Sequence, residues 1–173
     1  PERHRPFALL GLEEGEREFN KAAAIYRRKG DLVRLAALEY WMAANVYSPR
    51  GEFARAKATV RRALVFFRRQ RDLLETDRAL VALAFVCVVA ADTREARELA
   101  NEGLRLAEVL EYGQFEALAH YVLGQCALQD GDGATARRHF RKAQDFGDRA
   151  GETDLVLYPR LGLIELALAE ENR

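Results

Sequence analysis

The stretch GQCALQDGDGATARRHFRKA (residues 124–143) decides how this chain is read. A Cys, a His and two Asp-Gly pairs sit close together in it, so it reads either as a metal-binding loop or as the turn between two helices. An EF-hand loop requires D-x-[DN]-x-[DN]-G with a bidentate Glu at its twelfth position. With Asp130 first, Ala134 and Thr135 fall where the third acid and the Gly belong. With Asp132-Gly133 at positions five and six, Leu128 comes first and His139 twelfth. Both registers fail. A zinc site built from Cys126 and His139, with Cys87 and His120 as further donors, lacks the usual C-x2-4-C or H-x3-5-H spacing. Cys87 falls at an apolar position of the pattern described next, which points to packing.

The turn reading gains support because the stretch recurs. GEFARAKATVRRAL (51–64) aligns with ADTREARELANEGL (91–104) and GDGATARRHFRKAQ (131–144). Ala56, Ala96 and Ala136 stand in register at steps of 40, as do Ala63, Gly103 and Ala143. The turn pairs Gly51-Glu52, Ala91-Asp92 and Gly131-Asp132 keep the same step. Upstream, Tyr40-x-x-Ala43-Ala44 answers Leu80-x-x-Leu83-Ala84 and His120-x-x-Leu123-Gly124. Apolar and small residues three, four and seven apart share one helix face, and the small ones let a neighbouring helix approach closely. Each unit is therefore a helix, a short turn and a second helix.

Leu123-Gly124 followed by Ala136-x-x-x-Phe140-x-x-Ala143 resembles the signature of tetratricopeptide repeats. The departures are the aromatic first position, held by Tyr40, Leu80 and His120, and the family's final Pro, replaced by Asp148. The step of 40 also exceeds the family's ~34, so longer helices are expected. Such extended repeats resemble those of bacterial signalling proteins, notably the sensor regions of transcriptional activators. The resemblance implies an all-α fold of antiparallel helical hairpins stacked as a right-handed superhelix, an α-solenoid. It divides 1–173 as one domain: a partial repeat at 1–36, repeats at 37–76, 77–116 and 117–156, and a terminal helix at 157–173. The start at Pro1 and the incomplete outer units are read as marks of a fragment whose two ends expose apolar surface.

Helices are predicted near 13–29, 32–48, 52–71, 74–90, 93–110, 114–129, 133–150 and 154–171, separated by turn signals such as KGD, SPRG and AADT. Thr93 and Thr153 are expected as N-caps. Pro159 is tolerated if the last helix begins near Leu157 and costs more if it begins at Thr153.

Composition narrows the function classes. The 27 basic and 27 acidic residues balance, so no global field draws the molecule to nucleic acid or an anionic membrane. Two cysteines outside any CxxC spacing suit a reducing compartment, and a cytoplasmic location is expected. The richest apolar run, LVALAFVCVVAA (80–91), is too short to cross a bilayer, so no membrane role is expected. Nucleophile elbows, P-loops, dinucleotide fingerprints and HExxH are absent from the sequence, so no enzymatic activity, catalytic residue, metal or cofactor is expected.

Two surfaces remain. In VRRALVFFRRQR (60–71), Arg61, Arg62, Arg68 and Arg69 recur at steps of seven and form a basic stripe, a candidate for phosphate contacts or a solvated outer face. By the family resemblance, first helices line a concave groove. Its slots hold Trp41 and Asn45, then Arg78, Val81 and Phe85, then Tyr121 and Gln125, then Tyr158 and Glu165. Aromatic walls with sparse polar anchors suit a peptide or apolar ligand; the alternative is that these rings pack on each other. The expected role is an interaction scaffold for a protein or peptide partner. The alternative is the ligand- or partner-sensing region of a bacterial transcriptional regulator, with nucleic-acid binding behind both, and self-association through exposed terminal helices is a further expectation. Trp41 occupies a slot where a carboxylate clamp would place Lys, so that mode of peptide capture is not expected.

Overall fold

The structure is a computed structural model describing residues 7–111, 113–150 and 153–171. Those residues form helices and turns, with no strand among them. In chain order the helices are α1 (Phe7–Lys29), α2 (Leu32–Met42), α3 (Phe53–Gln70), α4 (Leu73–Val89), α5 (Thr93–Leu110), α6 (Gly113–Gln129), α7 (Gly133–Ala150) and α8 (Thr153–Glu171), and α2 runs on through a π turn at Ala43–Tyr47. α3, α5 and α7 begin at 53, 93 and 133, and α4, α6 and α8 at 73, 113 and 153, so both series advance by the 40 residues found in the sequence. None of the described helices is long and apolar enough to cross a membrane.

The turns explain the recurring dipeptides. Gly51, Ala91 and Gly131 occupy one slot and all adopt left-handed backbone, with φ of 77°, 59° and 80°. In two of the three turns the side chain of the next residue caps the following helix, and Glu52, at the third, makes no such bond. Asp92 accepts from the Glu95 amide at 3.3 Å and Asp132 from the Thr135 amide at 3.0 Å, satisfying a first-turn donor that the helix leaves orphaned. Asp92 therefore takes the role expected of Thr93, which is the first residue of α5 instead. Thr153 likewise opens α8 rather than preceding it. Ala91 is the anomaly of the series, because its Cβ crowds a carbonyl in the left-handed region where glycine has no penalty. We expect Ala91→Gly to stabilise the protein by about 1 kcal/mol, read as a higher urea midpoint with unchanged slope. An unchanged or lower midpoint would show that the turn is not under strain.

The core follows the same register. Ala56, Ala96 and Ala136 are each 0% exposed, and their small size lets α3, α5 and α7 close onto the preceding helices. Phe140 of α7 is fully buried against two glycines. A Cβ on Gly124 of α6 would come within 2.5 Å of its ring, and one on Gly162 of α8 within 2.6 Å.

Because α8 starts at Thr153, Pro159 stands in its second turn, where its ring and missing N–H interrupt one main-chain bond. That side chain is fully buried, and its burial offsets part of the lost bond.

Each helix packs on its successor, and α2, α4, α6 and α8 also pack on one another in sequence. α3 and α5 do not pack backbone against backbone, and long side chains bridge them: Lys57 bonds the α5 cap Asp92 at 2.7 Å, and Arg61 and Arg68 pair with Glu95 and Glu102. The four first helices therefore form one continuous layer, and the groove slots lie on it.

Candidate functional site

The layer formed by α2, α4, α6 and α8 carries a cavity of about 490 Å³. Its wall includes Trp41, Asn45, Arg78, Val81, Phe85, Tyr121 and Tyr158, seven of the nine predicted groove residues. Successive first helices bring them together because each slot recurs one repeat later on the same helix face.

Two of these side chains depart from the simplest reading of their slots. Asn45 sits in the π turn, where each amide bonds one residue further back and a carbonyl loses its main-chain donor. Its side-chain amide donates to the Trp41 carbonyl at 2.9 Å, so it braces the helix beneath Trp41 as well as lining the cavity. Val81 is buried to 4% exposure and lies against Gly103 of α5, so it serves as floor rather than rim.

The sequence left open whether the rings face solvent or fill the groove themselves, and the structure combines both. Tyr121 and Tyr158 lie 5.5 Å apart between centroids, and Phe85 lies 6.5 Å from Tyr121 and 6.4 Å from Tyr158. These three rings pack together at the α4–α6–α8 side, in the offset and edge-on arrangements that ring quadrupoles favour. Trp41 is 54% exposed on α2. The cavity persists beside the ring cluster.

Gln125 and Glu165, the other two predicted groove residues, lie outside the cavity wall. Gln125 donates to Glu165 at 2.8 Å and to the Tyr121 hydroxyl at 3.2 Å, tying α6 to α8. The slot count placed them on the correct face, but their reach carries them to each other.

Sequence reasoning missed Tyr40, Gln114 and Phe115, which also line the cavity. Phe115 precedes the first slot of its repeat, and Tyr40 occupies a helix-packing position, so neither falls on the groove spacing. Tyr40 donates to Glu75 at 3.4 Å, and Arg78 bonds the same carboxylate at 2.6 Å while its guanidinium lies 5.6 Å from the centre of the Phe115 ring. Burial, reinforced by Glu75, pushes the Tyr40 hydroxyl well above the usual phenol range and keeps it a donor. The polar edge of the cavity is thus a Tyr40–Glu75–Arg78 network in which Arg78 already has a counter-charge.

The remaining candidates find structural partners. Asp130 pairs with Arg97 and Asp132 caps α7, which accounts for both acids of the DGDG turn. Cys87 and Cys126 are free thiols at 0% exposure, and burial pushes them up to about 12 and about 11. His139 meets His120 rather than Cys126: their Nδ1 atoms are 3.1 Å apart, so one ring donates and the other accepts. Burial holds both imidazoles below their usual range, His120 at about 4. Among the described residues no three donor side chains are grouped to hold a metal ion. In the basic stripe, Arg61 and Arg68 face Glu95 and Glu102, Arg62 bonds Thr59 at 3.3 Å, and Arg69 is exposed.

Compared with known proteins, the chain matches no family model and no curated protein with significance.

Proposed function

We propose that this chain is a tetratricopeptide-like repeat domain, stacked as a right-handed superhelix, that holds an apolar segment of a partner protein against Trp41. The observation that carries the reading is the 490 Å³ cavity shared by four helices of one 40-residue series, within the range of ~300–1,000 Å³ typical of ligand sites. Direct contact between first helices, with second helices bridged by long ion pairs, supports curvature that makes the cavity face concave. Rings held by each other and by neighbouring helices lose little entropy on binding, which favours recognition by anchor side chains. The paired Arg78 argues for apolar anchors over an acidic one. The compact volume also supports the second reading, a sensing domain that takes a small apolar molecule in the same place.

Peptides selected against the protein from a random display library test the proposal. Binders should carry apolar or aromatic anchors at helical or alternating spacing, and Trp41 emission should shift on binding. Trp41→Ala should weaken them by about 30-fold or more, corresponding to a loss of about 2 kcal/mol. Trp41 is largely exposed, so the variant should keep its fold. Selected peptides indifferent to Trp41→Ala and Phe85→Ser would remove the groove from consideration.

A further inference from the structure

Left-handed residues close helices α1 to α6, at Gly30, Gly51, Arg71, Ala91, Glu111 and Gly131. From Gly51 onward they fall every 20 residues, so each helix with its turn fills one fixed length of the stack. The step from Gly30 to Gly51 is 21 residues, one too many. α2 absorbs the surplus in its π turn at Ala43–Tyr47, where the Ser48 amide bonds the Ala43 carbonyl five residues back, at 3.0 Å.

The packing locates the surplus residue. Ahead of the π turn, α2 matches α4 at a step of 41. Asp31 and Asp72 both cap by accepting from the amide three residues on. Tyr40 and Val81 are both buried on the cavity wall, and Ala43 and Ala84 are both fully buried. Behind the π turn the step is 40. Val46, Tyr47 and Ser48 are buried, as are Val86, Cys87 and Val88, and Asn45 and Phe85 both line the cavity. Ala44 is left between the two registers without a counterpart. The shift also explains why Tyr40, at a helix-packing position of the 40-residue pattern, reaches the cavity.

π turns are rare, and the single ones found inside α-helices are frequently at functional sites. This one stands on the cavity wall, which both Ala44 and Asn45 line. Where α4 carries the Phe85 ring, α2 presents the Asn45 amide, preceded by the extra alanine and bonded to the Trp41 carbonyl. Among the described residues no other helix contains a π turn, so stacking by itself does not require one.

We propose that Ala44 is a one-residue insertion that fits α2 to the partner segment, and that the π turn it forces shapes the wall against which an apolar anchor packs. Its binding role rests on the groove reading above, whereas the insertion itself is measured without a ligand. Deleting Ala44 should leave an uninterrupted α-helix of the length that α4 and α6 keep between turns. That variant should fold with a urea midpoint at or above that of the wild type. Deleting Ala82, an alanine of α4 on the same cavity wall, should lower the midpoint severely, because buried residues on one side of the gap would rotate off the core. Peptides selected on the wild type and dependent on Trp41 should bind the Ala44 deletion about tenfold or more weakly.

An Ala44 deletion as destabilising as the Ala82 deletion would show that Ala44 is not an insertion. A stable Ala44 deletion that binds Trp41-dependent peptides as tightly as the wild type would remove the π turn from the site and leave the groove reading standing. If no selected peptide depends on Trp41, the groove reading falls and the binding role of Ala44 with it, while the two urea midpoints still decide the insertion.

Discussion

Asp77→Ala is expected to stabilise the protein by up to about 4 kcal/mol at pH 8, and by far less at pH 4. Asp77 is 0% exposed, and neither carboxyl oxygen meets a hydrogen-bond partner. It lies between α4 and α5, where a Cβ on Gly103 would come within 3.1 Å of Oδ1. Burial alone pushes the carboxyl up to about 7 from 3.8. The folded state therefore binds this proton more tightly than the unfolded chain does. Below about pH 4 the carboxyl is protonated in both states, so the cost of burying its charge is absent. As pH rises from 4 to 7 the wild type loses stability relative to the variant, at up to about 1.4 kcal/mol per pH unit, and the difference levels off above 7. Alanine stands at the matching slots of the neighbouring repeats, Ala37 and Ala117, so the backbone accepts it there. Asp77→Asn should abolish the pH dependence too, but stay less stable than Asp77→Ala, since it buries an amide without partners. Urea unfolding at a series of pH values measures all three. A difference between wild type and Asp77→Ala that is the same at pH 4 and pH 8 would show that Asp77 does not titrate in this window.

Phe140 should be the most costly apolar side chain to truncate, at about 3–5 kcal/mol for Phe140→Ala. Its ring is fully buried and touches α6 and α8 through the absent side chains of Gly124 and Gly162. The contact works because aromatic bulk on one helix is matched by glycine on two others. Gly124→Ala should then cost about 1–3 kcal/mol through overpacking, despite alanine's better helix propensity. Phe140→Leu removes Cε1 and Cζ from that contact and leaves a shorter side chain able to turn its Cδ atoms away, so Gly124→Ala should be milder in that background. A double-mutant cycle by urea denaturation should give a coupling above about 0.5 kcal/mol. Additive effects would mean that the helices move apart freely and that the glycine is not required for their approach.

The eight helices were legible because the periodicity of small and apolar residues repeats, and each copy corrects the boundaries of the others. The ends of α3, α5 and α7 fell within a residue of expectation, since the turn dipeptides mark them directly, whereas α1 begins at Phe7, six residues before the expected start, where no such dipeptide stands. The caps were misread at Thr93 because two adjacent residues both bear oxygen acceptors, and only backbone geometry separates the capping Asp92 from the first helical residue. Most groove slots were legible for the same reason as the helices. The bond between Gln125 and Glu165 was not, because the reach of a long side chain toward its neighbour is a property of two helices at once.

Taken alone, the amino-acid sequence determined the all-helical class, the 40-residue step, the chain reversals at Gly51, Ala91 and Gly131, and the face on which Trp41, Phe85 and Tyr121 would fall. These are local matters, set by backbone torsion and by residues within a turn or two of each other. Only the tertiary structure decided that three rings cluster while a cavity survives beside them, that Arg61 and Arg68 are balanced by the next repeat, that Asp77 is sealed against Gly103, and that α8 keeps a second apolar face. Each of those depends on distances between helices, which the spacing of residues along one helix does not encode.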